Sequence, residues 1–184
     1  MCIIHLKRAG QHCCGYIMGG LFMKLEHLLQ VGIVTDNVER SVEEFKKFGF
    51  DQWTVMPFEP SMIPGLTING EVSDLRFNGA MYREDGLEIE LIEPVSDSPF
   101  KDWLNEHGPG VHHLAFKPKG GYEAFMEEYK ANGYKSLIDA LDGTKTGGFS
   151  YLDTYDQLGF FVEIHKGAPG NPDDFKKGDA KDGE

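Results

Sequence analysis

Four side chains of types that hold metals recur at paired places in this chain: Gln30, Glu90, His113 and Glu163. Two carboxylates, an amide oxygen and an imidazole nitrogen make a mixed oxygen and nitrogen donor set. Such a set suits a six-coordinate divalent cation that keeps open positions for water, which is a catalytic rather than a structural arrangement. Buried on a strand, these groups would be costly without a partner. Two carboxylates with no basic neighbour would also repel each other. A divalent cation removes both difficulties. The segment GPGVHHLAF (108–116) sharpens the choice, because it sets His112 and His113 side by side. Alternation along a strand lets only one of them face a given cavity.

The elements that must position these residues come in two copies. LLQVGIV (28–34) is a short apolar run rich in β-branched residues and reads as a buried strand. A helix follows in TDNVERSVEEFKKFGF, capped by Asp36 or Asn37, with Glu39 placed as in a capping box. Its face is Val38, Val42 and Phe45, and Gly49 ends it. Residues 51–70 hold Pro57, Pro60 and Pro64 and read as a long irregular loop or frayed strand. DLRFNGAMY and GLEIELIEP then form a hairpin about Asp85-Gly86. SDSPFKDWLNEHG reads as a short helix with Ser98 as cap, Pro99 in its first turn and Gly108 past its end.

The second half repeats the scheme: a strand in VHHLAF, a helix with Tyr122, Phe125, Met126 and Tyr129 on one face, Gly133 after it, and a strand pair in FSYLDTYDQLGFFVEIHK. Glu90 and Glu163 each stand four residues after a turn glycine, Gly86 and Gly159. Each copy reads β-α-β-β-β, spanning 24–95 and 110–166, within a folded unit of residues 24–166. Aligning them puts His113 on the face of Gln30, and Ala115 on that of Gly32. His112 falls on the opposite face with Leu114 and Phe116, which packs under the helix. Gly32 and Ala115 leave room beside their polar neighbours. Glu88 and His165 share the faces of Glu90 and Glu163 and could line the cavity mouth, whereas His27 points to the wrong side.

Eighteen Lys and Arg against thirty Asp and Glu leave a formal net charge of −12, which argues against nucleic acid and anionic membrane surfaces as partners. No apolar run is long enough to span a bilayer. The three cysteines, Cys2, Cys13 and Cys14, all fall in residues 1–23, so no disulfide framework supports the fold, as fits a reducing cytoplasm. Those residues read as a leader outside the fold, with Met23 the expected start. Residues 167–184, mostly Gly, Pro and charge with one aromatic, read as a disordered tail.

With these residues in place the core resembles the vicinal oxygen chelate superfamily, also called the glyoxalase/bleomycin-resistance/dioxygenase fold. The best local match is to methylmalonyl-CoA epimerases and glyoxalase-like relatives, carried by LLQVGIVTDNVERSVEEF, LEIELIEPVSDSPFKDWLNEHGPGVHHLAF and GFFVEIHK. The resemblance implies an α+β fold of paired βαβββ modules that form an open, cup-like mixed sheet with helices outside. It implies one divalent metal (Zn, Co, Ni or Mn) at Gln30, Glu90, His113 and Glu163, and a homodimer. It also implies proton abstraction α to a carbonyl, on an acyl-CoA such as methylmalonyl-CoA, with Glu163 the preferred base and Glu90 opposite. Glu71 lies near the region where epimerases place a separate base.

Epimerases of this kind usually carry His where this chain has Gln30. The set Gln-Glu-His-Glu is that of eukaryotic glyoxalase I, which makes a lyase or isomerase on another thiol adduct the alternative. Two glutathione anchors of that enzyme are replaced here by Val34 and Pro94. Extradiol dioxygenases need two His, and Gln30 stands in for one of them. A small-molecule binding or resistance protein of the same fold is the third reading, and the full ligand set argues against it.

Overall fold

A computed structural model describes residues 23–141 and 147–166. The expected tail, and the leader with its three cysteines, lie outside the described residues, except that Met23 packs partly buried against the second module.

The first module runs β1 (Leu25–Val34), α1 (Val38–Lys46), β2 (Trp53–Phe58), β3 (Thr67–Ile68), β4 (Glu71–Val72), β5 (Phe77–Glu84) and β6 (Leu87–Pro94). After α2 (Pro99–His107) the second runs β7 (Gly110–Pro118), α3 (Tyr122–Ala131), β8 (Ser136–Leu141), β9 (Gly148–Leu152), the one-turn α4 (Tyr155–Leu158) and β10 (Phe161–His165). All ten strands join one mixed sheet in the order β2-β5-β6-β1-β7-β10-β9-β8-β3-β4. β1 lies parallel to β6, and β7 parallel to β10, while β1 and β7 meet antiparallel at the centre. The expected pair of βαβββ modules is therefore present, related by a pseudo-two-fold axis between β1 and β7.

Local chemistry accounts for most boundaries. Asn37, rather than Asp36, caps α1 by accepting from Arg40 N at 2.7 Å. Both module helices end in a Schellman pattern. Gly49 N donates to Lys46 O and Phe50 N to Phe45 O; Gly133 N donates to Lys130 O and Tyr134 N to Tyr129 O. Each glycine has the positive φ that this ending requires, +95° and +83°. The flanking rings close on each other, Phe45 on Phe50 at 5.6 Å and Tyr129 on Tyr134 at 5.1 Å. The β5–β6 hairpin turns at Asp85 and Gly86, both at positive φ as a two-residue loop of this hand demands. Ser98 caps α2 with Pro99 in its first turn.

The expected irregular loop is where the structure differs. Trp53–Phe58 forms a regular edge strand on β5, with Pro57 opposite Asn78. An edge position tolerates a residue without an N–H, so the proline does not break the pairing. The following segment crosses to the far edge of the second module, where Thr67 and Ile68 pair with Asp139 and Ile138 of β8.

The helices α1 and α3 cover the outer face of the sheet. Val38 and Val42 pack with Ala80 and Leu91; Phe125, Met126 and Tyr129 pack with Val162 and Ile164. The concave face holds a third cluster, in which Phe100 and Trp103 of α2 meet Val34, Ile92 and Tyr151, with Leu66 and Leu75 from the crossing segment. Among the described residues no helix is long and apolar enough to cross a membrane.

Candidate metal centre

The register of β1 against β7 sets Gly32 opposite His113 and Gln30 opposite Ala115, so each polar ligand faces the other module's small residue. At Gly32 this is a steric requirement. A Cβ built there would lie 1.7 Å from Cε1 of the His113 ring, so the imidazole fills the space the missing side chain leaves. β6 and β10 flank this pair and bring in Glu90 and Glu163.

The four expected residues converge. His113 Nε2 lies 3.1 Å from Gln30 Oε1, 3.3 Å from Glu90 Oε2 and 3.2 Å from Glu163 Oε2. Ligand atoms of Glu90, His113 and Glu163 all fall within 4.8 Å of one another. All four residues are buried, His113 completely. The expected competitors divide. Glu88 accepts from Gln30 Nε2 and pairs with Arg83. His165 Nε2 sits 3.2 Å from Glu163 Oε1. His27 is exposed, and Glu71 is exposed on β4 at the edge of the sheet.

His112 departs from expectation. Strict alternation would send it to the outer face under a module helix. A register shift between Gly32 and Ile33 skips His112, so β7 bulges there. A bulge leaves two residues opposite one and re-aims side chains. The His112 ring consequently packs into the concave-face cluster, 5.0 Å from Phe100, 5.4 Å from Trp103 and 4.7 Å from Phe161. Its Nδ1 is 3.2 Å from Nδ1 of His113, which fixes the orientation of the ligand ring. Burial, and then the neighbouring His113, push His112 well below the usual histidine range, so it is neutral.

Sequence reasoning missed Tyr151. It is buried opposite Glu163 on β9, with Oη 3.4 Å from His113 Nε2. The period-two pattern of FSYLD, read against VEIH, was the signal for it. Burial, followed by the charges of Glu163 and Glu90, drives its phenol well above the usual tyrosine range, so it remains protonated.

Charge separates the two carboxylates. Burial would raise Glu163, but His165 and His113 together outweigh it and hold the group at about 2. Burial raises Glu90, the hydrogen bond from His113 only partly opposes it, and the charge of Glu163 adds to the rise. Burial would lower His113, yet the carboxylates of Glu163 and Glu90 beside it lift it to about 9.

This donor set fits a divalent cation. Nε2 carries at most one proton, while the amide oxygen and two carboxylate oxygens around it are all acceptors. Glu163 Oε2 is buried with no hydrogen bond to satisfy it. One cation among these four atoms would satisfy them together. Two surface cavities of about 360 and 460 Å³, beside the start of α1 and beside α3, contain none of these residues.

Comparison with known proteins agrees with this architecture. A methylmalonyl-CoA epimerase variant of Streptomyces coelicolor, in complex with 2-nitronate-propionyl-CoA, superposes with a TM-score of 0.56 at 21% identity, covering 79% of this chain and 96% of that one. A hypothetical protein from Bacillus halodurans gives 0.53 at 20% identity, covering 79% and 96%. At these identities the likeness is one of fold. The uncharacterized protein YqjC of Bacillus subtilis is 39% identical over 46 residues, 24% of this chain and 33% of that protein. The chain thus spans about a third of the length of the curated relative it matches. The family model of the glyoxalase/bleomycin resistance protein/dioxygenase superfamily matches residues 29–151, and the chain belongs to that superfamily.

Proposed function

We propose that this chain is a metal-dependent enzyme that moves a proton on the carbon α to a carbonyl, in the manner of an epimerase, with an acyl-CoA of the methylmalonyl-CoA type as substrate. The observation that carries this is the buried convergence of Gln30 Oε1, Glu90 and Glu163 on His113 Nε2 at 3.1–3.3 Å. The epimerase neighbour supports the substrate class, since it is complexed with a propionyl-CoA derivative.

Gln30, Glu90, His113 and Glu163 would hold the metal, which when bound polarises a substrate carbonyl and stabilises negative charge on its oxygen. Glu90 and Glu163 stand on opposite sides of the pseudo-two-fold axis, so one carboxylate can take the α-proton on one face and the other return it on the opposite face. Burial gives Glu90 the higher affinity for a proton, while His165 and His113 keep Glu163 ionised against its own burial. The Tyr151 hydroxyl is a protonated donor at the same cluster. Phe100, Trp103 and Phe161 form an aromatic floor beneath it.

The test is proton NMR of methylmalonyl-CoA in D2O with the metal-loaded chain. Loss of the α-proton signal at a catalytic rate is the expected result. Absence of exchange with metal shown to be bound would remove this substrate. The Gln-Glu-His-Glu set, in which an amide oxygen faces the centre, favours a glyoxalase I-like lyase acting on a thiol adduct as the second reading. A purified chain that binds small molecules but no metal would instead mark a non-enzymatic binding protein.

A further inference from the structure

Gln30 is an ambiguous ligand in isolation. Its oxygen could hold a cation, but rotating the amide by half a turn would present an NH2 group that repels one. The surroundings remove the ambiguity. Gln30 Nε2 donates to Glu88 Oε1, and Oε1 faces His113 Nε2 at 3.1 Å. With Arg83 on its other oxygen, Glu88 presents Oε1 as an acceptor, which the amide meets through its nitrogen. The same pair with Arg83 holds this buried side chain in place. At the pseudo-symmetric place in the second module, opposite His113 on the parallel neighbouring strand, stands Phe161, where no amide needs orienting.

We infer that Glu88, braced by Arg83, is a positioning residue that locks Gln30 with its amide oxygen toward the metal centre and so makes a glutamine serve where histidine is usual. This rests on the metal-centre reading above but not on the choice of substrate. Outer partners that orient a ligand in this way typically contribute about 10- to 100-fold in metal affinity.

The test is a double-mutant cycle on Co2+ affinity, measured by isothermal titration on the full chain. Glu88→Ala is expected to weaken Co2+ binding by about 10- to 100-fold. Glu88→Gln, which keeps an acceptor oxygen for Gln30 Nε2, should recover most of that loss. In the Gln30→Ala background, Glu88→Ala should cost nothing further. An equal loss in both backgrounds, or none in Glu88→Ala alone, would overturn the proposal. A second measurement on the unaltered protein guards against a variant that fails to fold. In 15N–1H spectra, assigned by their disappearance in Gln30→Ala, the Gln30 side-chain amide should show one downfield, slowly exchanging proton. A solvent-like amide pair would overturn the lock, whereas a wild-type chain that takes up no Co2+ would overturn the metal centre itself.

Discussion

The two modules share a backbone plan and differ in the charge they bring to it. The first contributes Gln30 and Glu90, the second His113 and Glu163, from equivalent strands. Two residues beyond the carboxylate, the first module has the buried Ile92 and the second has His165. Opposite the carboxylate on the next strand, the first has Met81 and the second Tyr151. Glu90 therefore gains affinity for a proton by burial, while Glu163, equally buried, is held at about 2. The repeat placed the two carboxylates at equivalent positions; neighbours one or two positions away made them chemically unequal.

The largest break in this comparison should come from His113, the one nitrogen ligand. His113→Ala is expected to abolish metal binding, whereas Gln30→Ala should only weaken it, about 10- to 100-fold. Metal analysis of the purified variants checks both, and full occupancy in His113→Ala would end the ligand assignment. Next comes Gly32→Ala. The second module already carries Ala115 at the equivalent place, but a methyl at Gly32 would enter the His113 ring. We expect about 1–3 kcal/mol of destabilisation, read by denaturant unfolding, together with loss of metal. An unchanged unfolding midpoint would show that the ring can retreat.

Acidity sharpens the contrast further. In the metal-free chain His113 is held up to about 9, so at neutral pH it carries a proton that metal must displace. Metal affinity should rise about tenfold per pH unit as pH climbs toward that value, then level off, with proton release on binding. Titrations in buffers of different ionisation enthalpy measure this, and a flat pH profile would contradict it. The smallest effect lies at the helix starts. α1 is capped by the Asn37 side chain, whereas α3 begins at Gly121 with no side-chain cap. Asn37→Ala should cost about 1 kcal/mol in unfolding experiments, without altering metal affinity.

Much of this molecule could be read along the chain. The glycines that end α1 and α3, the Asp85-Gly86 turn and the Ser98 cap are local signals, because each depends on residues within one turn. The repeat was legible for the same reason, and alignment of the copies picked out Gln30, Glu90, His113 and Glu163. Alternation failed where β7 bulges at His112, since a bulge arises between two strands and leaves no mark in one. The strand at 53–58 was obscured by prolines that matter only if the strand is not at an edge.

By itself, then, the sequence determined the α+β repeat, its helix and hairpin boundaries and the paired places of Gln30, Glu90, His113 and Glu163, because periodicity and turn chemistry act over a few residues. The tertiary structure decided which way His112 turns, that Tyr151 joins the cluster, that Glu88 holds Gln30 and that residues 67–68 cross to β8. These depend on pairings between segments far apart in the chain, where register and burial are settled by the whole sheet rather than by any one strand.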